Sequence, residues 1–144
     1  RVIETKSIAE GYSCLSMMDL YVSTVDELID SMTASLDNVV TGLITTATRD
    51  TNMDGVEITK GNFIGLANKT IYSCCESRVD CAYNLIKGIP EIGMKEVLTI
   101  FQGKNVTEDE LMELQDKVSA DYPLMEIGII PGGQDVYDYI MAIE

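Results

Sequence analysis

The sequence has no histidine and no tryptophan, only three prolines and two phenylalanines, and ten basic residues against 24 acidic ones. Each scarcity excludes something. Without histidine there is no Ser–His or Cys–His nucleophile pair, and the commonest general base and transition-metal ligand are gone. The formal net charge of −14 argues against a nucleic-acid partner, because phosphate backbones are held by clustered Lys and Arg. An anionic membrane surface would repel such a chain too. No apolar run approaches the ~20 residues that span a bilayer, so no membrane insertion is expected. No signal peptide is visible, and a cytoplasmic setting is the expectation. The chain opens on Arg1 rather than Met, which reads as a piece of something longer.

What is present suits one domain. The 144 residues are 46% hydrophobic and 24% charged, a globular composition with enough length for a real core. The four cysteines are Cys14, Cys74, Cys75 and Cys81. An adjacent pair followed by a five-residue gap matches no zinc spacing. With no sign of secretion, reduced and packed thiols are the simpler reading, and a redox or metal role the less favoured one.

Helix starts are the clearest local signals. Ser7 with Glu10, and Thr24 with Glu27, have the spacing of capping boxes. The first predicts a helix to about Met18, which Gly11 weakens. The second opens a longer stripe of Val25, Leu28, Ile29, Met32, Leu36, Val39 and Val40, with Gly42 placed to stop it. Residues 43–48 read as a strand. A polar turn at 49–55 and a strand at Val56–Ile58 follow, and Asp54–Gly55 is a hairpin signal. Lys69–Cys74 reads as a strand. A helix opening at Ser77 and Asp80 places Val79, Ala82, Tyr83 and Ile86 on one face before Gly88. The last third predicts strand 97–101, a helix capped by Thr107 and Glu110, strand 125–130, a Pro131–Gly132–Gly133 turn and a final strand 136–143. The expected fold is α/β, with helices packed on one mixed sheet and a closing β-α-β-β unit. Residues 1–42 form a helical opening segment and 43–144 the sheet body.

Several constellations invite a functional reading. Asp50-x-Asn52-x-Asp54-Gly55 copies the first half of a calcium loop, but its twelfth position is Gly61, where a bidentate Glu is required. A hairpin turn is the simpler account. Gly132–Gly133–Gln134 could cradle an anion only if it led into a helix. A strand is expected instead, so a structural or docking turn is favoured. The acidic run at Glu108–Glu110 and Glu113 complements a helix N-terminus. The sequons Asn68-x-Thr70 and Asn105-x-Thr107 matter only in a secreted protein. Thr5, Lys6 and Ser7 stand at a helix start, where a carboxylate or phosphate can bind, although capping explains Ser7. Arg49 beside Asp50 fits a turn brace or a partner contact.

These same stretches carry a resemblance. Val2-Ile3-Glu4-Thr5-Lys6-Ser7-Ile8-Ala9-Glu10-Gly11 resembles the VIPTKSIPQG segment of the bacterial fatty acid kinase family FakA. Thr48-Arg49-Asp50-Thr51 with Asp54-Gly55-Val56-Glu57-Ile58 resembles its VRDT..DGVEI hairpin, and Gly61–Gly65 its GDFMGI. Gly103-x-x-Val106-Thr107-Glu108 resembles GEDVTEE, and Gly132–Ile140 with Ile143–Glu144 the terminal GGQPVYPYIISVE. The order and spacing match over essentially the whole chain. Glu4, Glu10, Asp135 and Asp138 depart from the pattern. A more distant similarity runs to the second domain of DegV-type fatty-acid-binding proteins.

The resemblance implies a C-terminal domain, residues 1–144, of a longer kinase whose N-terminal domain is dihydroxyacetone-kinase-like. ATP and magnesium would be held there, with no cofactor, metal or catalytic residue in this part. The partner implied is a DegV-type fatty-acid carrier, whose bound acyl carboxylate the kinase phosphorylates. The contact candidates are the motif positions Thr5, Lys6, Arg49, Asp50, Gly133, Gln134 and Tyr137. A rival expectation is a small-ligand domain that holds a fatty acid between itself and the missing upstream half, in an apolar slot lined by the many methionines, of which there are eight. A homodimer is kept open, since an absent upstream half would leave an apolar face.

Overall fold

The computed structural model describes residues 1–21 and 24–144. Helix α1 (Ile8–Ser16) starts where Ser7 Oγ accepts the Glu10 N–H at 3.0 Å. Helix α2 (Val25–Ala34) starts likewise at Thr24, which accepts the Glu27 N–H at 3.2 Å. The stripe expected to continue through Val40 stops short. Ser35 Oγ donates back to the Met32 carbonyl at 2.8 Å, and a 3-10 turn spans Ser35–Asp37. Strand β1 (Val40–Thr46) begins at Val40, where pairing with Ile143 claims the β-branched residue. Gly42 is therefore inside a strand rather than at a helix end. A Cβ there would lie 3.1 Å from Met141 Cε and 3.4 Å from Leu85 Cδ2.

Strands β2 (Thr51–Met53) and β3 (Val56–Ile58) form the expected hairpin. Asp54 and Gly55 take φ of 53° and 78°, the left-handed pair that such tight turns require. Strand β4 (Phe63–Ala67) was not expected. It pairs with β1 and with β5 (Thr70–Cys75), and its Gly65 hid the alternation. Helix α3 (Arg78–Gly88) is capped by Ser77, which accepts the Asp80 N–H at 3.3 Å. Strand β6 (Val97–Gln102), helix α4 (Glu108–Asp121), strand β7 (Glu126–Pro131) and strand β8 (Tyr139–Ile143) complete the chain. Thr107 and Glu110 make the full reciprocal capping box. The last strand starts at Tyr139 rather than Val136, because 132–138 is a connection tied to the end of β6.

The main sheet has the order β5-β4-β1-β8-β6-β7. Among the described residues only β6 and β7 pair in parallel, as a crossover through α4 requires. The closing β-α-β-β unit is thus as expected, and β8 inserts between β1 and β6. All five β8 residues are buried. One sheet face packs against α3 and α4 through Ile44, Leu85, Ile100, Leu114, Met141 and Ile143. The other carries α1 over Val39, Phe101, Ile140 and Ala142, and the β2–β3 hairpin over Ile58 and Ile71. No helix among the described residues is long and apolar enough to cross a membrane.

Candidate functional site

The head of α1 forms the first candidate. Ser7 is committed to structure, since its hydroxyl caps the helix and shares a hydrogen bond with Thr41 Oγ1 of β1 at 2.8 Å. The Lys6 N–H donates to Glu10 Oε2 at 2.5 Å, closing the turn. The side chains of Thr5 and Lys6 remain exposed. They border an open groove of about 650 Å³ whose apolar wall is Ile8, Tyr12, Leu15 and Phe101. Tyr12 meets Phe101 edge-on, with ring centroids 5.5 Å apart.

Phe101 connects this groove to the loop between β7 and β8. Gln134 Nε2 donates to the Phe101 carbonyl at 2.9 Å. Tyr137 packs on the cluster of Ala9, Phe101 and Ile140. The N–H groups of Gly132 and Gly133 both donate to the Gln102 carbonyl, at 3.0 and 2.8 Å, with Gly133 at φ 67°. The double glycine is therefore a turn that ties this loop to β6. Gly103 serves the same loop from below. A Cβ on it would stand 2.6 Å from the carbonyl oxygens of both Tyr137 and Asp138.

Arg49 and Asp50 stand apart. Asp50 Oδ1 accepts the Lys60 N–H at 2.7 Å, which braces the base of the hairpin. Asp54 Oδ2 accepts the Ile71 N–H at 2.9 Å. The calcium-like run is thus a hairpin whose carboxylates hold backbone. Asp50 borders a different cleft, of about 540 Å³, with Thr51, Asn52 and Glu57. Arg49 is exposed and has no ion-pair partner among the described residues. The seven candidates therefore divide: Thr5, Lys6, Gln134 and Tyr137 gather around Phe101, Gly133 shapes their loop, and Arg49 and Asp50 lie by the hairpin. The methionines do not share a slot. Met125 and Met141 are core, Met32 faces α1, Met17 and Met18 are half-exposed just after α1, and Met53, Met94 and Met112 are exposed on separate elements.

Sequence reasoning missed Arg78. Its Nη1 donates to Asp138 Oδ1 and to the Asn105 carbonyl, both at 3.1 Å. Its Nε meets Glu110 Oε1 at 3.1 Å, and its guanidinium lies 5.1 Å over the Phe63 ring. One side chain thereby ties α3 to β4, α4 and the residue that enters β8. The available signal was its position. A cation at the first residue of a helix opposes the macrodipole unless acids hold it. Burial pushes the Asp138 carboxyl above its ordinary value, with Arg78 opposing and Glu110 adding to the rise. Next to it, burial also raises the Tyr139 hydroxyl, which has no hydrogen-bond partner among the described residues.

All four cysteines are free. Burial pushes the Cys81 thiol up to about 12, partly offset by the hydrogen bond with Ser73. Such a thiol carries little thiolate at neutral pH and is a poor nucleophile. The α1 groove instead offers apolar walls with a lysine and a helix N-terminus at one end, which is a binding chemistry.

The family model for the C-terminal region of FakA-like fatty acid kinases matches residues 1–144. An uncharacterised protein of Staphylococcus haemolyticus is 34% identical over 143 residues, covering 99% of this chain and 26% of that protein. A counterpart in Staphylococcus aureus is 33% identical over the same length. The chain thus spans about a quarter of the length of the curated relatives it matches. Among solved structures, the Streptococcus pneumoniae fatty acid kinase B3 protein loaded with linoleic acid gives a TM-score of 0.62 at 12% identity. The match covers 94% of this chain and 54% of that one. A DegV family protein from Corynebacterium glutamicum gives 0.57 at 12% identity, over 94% and 58% of the two chains. At such identities the likeness is one of fold.

Proposed function

The chain belongs to the FakA-like fatty acid kinase C-terminal family, and from that premise we propose that it docks a DegV-type fatty-acid carrier for a kinase domain elsewhere in the longer protein. On this reading it works in the cytoplasm and contributes no reacting group. ATP and magnesium bind the kinase domain, and the carrier presents the acyl carboxylate for phosphorylation. Holding two reactants in register lowers a barrier without chemistry by the holder, and ideal alignment is worth up to roughly 7–11 kcal/mol.

The observation that carries this reading is the open groove at the head of α1, with apolar Ile8, Tyr12 and Leu15 exposed beside Thr5 and Lys6. Large apolar side chains gathered at one surface mark interaction sites on soluble proteins. Calorimetric titration of the chain with its organism's own DegV-type carrier, empty and oleate-loaded, is the direct test. Saturable binding is expected. Arg49→Ala should weaken it about fivefold at unchanged melting temperature, because Arg49 makes no ion pair among the described residues. Unchanged affinity would remove Arg49 from the contact.

Direct fatty-acid binding is the second reading. It is favoured by one feature, a lysine and a helix N-terminus at the end of an apolar wall. Uptake of free oleate in the same titration, without carrier binding, would make it the better account.

A further inference from the structure

The connection from β7 to β8, residues 132–138, is mostly exposed, yet it ends on a carboxylate residue, Asp138, that is only 8% exposed. Its backbone is tied down at that end. The Gly103 N–H donates to the Asp138 carbonyl, and the Asp138 N–H to the Ile44 carbonyl, each at 2.8 Å. The Lys104 N–H donates to the Gln134 carbonyl at 3.0 Å. These bonds use the main chain alone, and any residue could make them. They give no reason for a carboxylate.

A carboxylate that stays ionised out of water needs several donors or a cation of its own. Asp138 has neither. Among the described residues only Arg78 Nη1 donates to its carboxylate, at 3.1 Å. Arg78 is shared with Glu110 Oε1 of α4 and with the Asn105 carbonyl. Tyr139, the next residue of β8, has a buried hydroxyl with no partner among the described residues. The other charges nearby are already engaged. Glu113, one turn along α4, meets Lys117 at 3.2 Å. Lys104 meets Asp135 at 3.3 Å, both largely in solvent. From the strands, β1 presents Ile44 and β4 presents Phe63, neither of them charged. Two carboxylates therefore divide one guanidinium, and the ionised cluster keeps an unbalanced negative charge where little water reaches it.

A proton on Asp138 would balance that charge. Burial holds its carboxyl above the ordinary value, Arg78 opposes the rise and Glu110 adds to it. A carboxyl raised in the closed form favours that form when protonated. It favours an open, hydrated form once pH rises through the raised value. We infer that Arg78, Glu110 and Asp138 form a proton-operated latch on the 132–138 connection, which closes firmly when Asp138 is neutral and opens locally, with the rest of the fold intact, when Asp138 is ionised. The same connection carries Gln134, bonded to the Phe101 carbonyl, and Tyr137, packed beside Phe101. The proton thereby sets the shape of the surface next to the α1 groove. The latch does not depend on carrier docking, and its test uses no carrier.

Hydrogen exchange of the full-length protein, read by mass spectrometry and corrected for the pH dependence of the chemical exchange step, measures the opening. Peptides covering 103–106 and 132–138 report the tied amides, and one within 139–143 reports β8. The tied amides should open more often than those of β8 at neutral pH. Their opening should become severalfold rarer at mildly acidic pH. Asp138→Asn keeps an oxygen for Arg78 and removes the charge, so its opening should be rare at both pH values. Glu110→Gln keeps the capping box with Thr107 and removes the competing carboxylate. Its opening should be rarer than that of the wild type at neutral pH, and the transition should move to lower pH. A role in packing alone would not move that transition. Wild-type opening that does not change with pH overturns the latch. So does an Asp138→Asn variant that keeps the wild-type pH dependence, or a Glu110→Gln variant that leaves the transition in place. If 132–138 and β8 open together at every pH, the proton acts on the whole fold and the local latch is overturned.

Discussion

Arg78→Met keeps an unbranched stem over the Phe63 ring and removes the guanidinium. Asp138, only 8% exposed, then loses its charge partner. Stranding a carboxylate in a fully buried site costs ~3–5 kcal/mol. The site is less closed than that, since the side chains of Arg78 and Glu110 are 19% and 29% exposed. A loss of about 2–3 kcal/mol at neutral pH is therefore expected. The loss should depend on pH in a definite direction. Burial holds the Asp138 carboxyl above its ordinary value, so the folded protein binds this proton more readily than the unfolded chain does. The stability linked to this group is fully present below the ordinary carboxylate range and is lost as pH rises through the raised folded value. Arg78 opposes the rise, so its removal lifts the carboxyl further. The deficit of the variant must shrink as pH falls, because Asp138 can then be buried as the neutral acid. Urea titrations of both proteins at neutral and at mildly acidic pH measure this. A loss below ~1 kcal/mol at neutral pH, or a deficit that grows toward acid, would refute the reasoning.

Tyr139→Phe deletes a buried hydroxyl that lacks a partner among the described residues. Stability should rise by about 1 kcal/mol, read as an increase of ~3 °C in melting temperature; a fall would show that the hydroxyl is satisfied after all. Gly65→Ala would set a Cβ 2.4 Å from Ser73 Oγ and 3.1 Å from Leu85 Cβ in the middle of β4. A loss of ~1–3 kcal/mol in urea titration is expected, and a loss near zero would show that Ser73 moves aside freely.

Part of the candidate site's geometry was legible in the sequence. Thr5 and Lys6 announce themselves because a capped helix start is a local event, and the groove does form there. Gln134 and Tyr137 come close to it only because β8 inserts between β1 and β6, which places their loop against Phe101. The same insertion leaves Arg49 and Asp50 at the hairpin, in another cleft. The methionines are scattered within this domain for a related reason. Methionine fills gaps wherever packing leaves them, so its abundance says nothing about where the residues meet.

Local chemistry determined the four caps at Ser7, Thr24, Ser77 and Thr107, the Asp54–Gly55 turn, and the strand–helix–strand run from Val97 to Pro131. Each depends on groups three or four residues apart, or on a periodicity contained in one segment. Only the tertiary structure decided that Val40 leaves the helical stripe for a strand, that Phe63–Ala67 is a strand, and that Arg78 gathers Glu110 and Asp138. It also decided that α1 turns Ala9 inward and Leu15 outward. Those outcomes depend on partners tens of residues away in sequence, such as Ile143 for Val40 and Asp138 for Arg78. Pairing free energy across such distances exceeds a local preference of a few tenths of a kcal/mol per residue, roughly the size of helix-propensity differences, so the distant partner prevails.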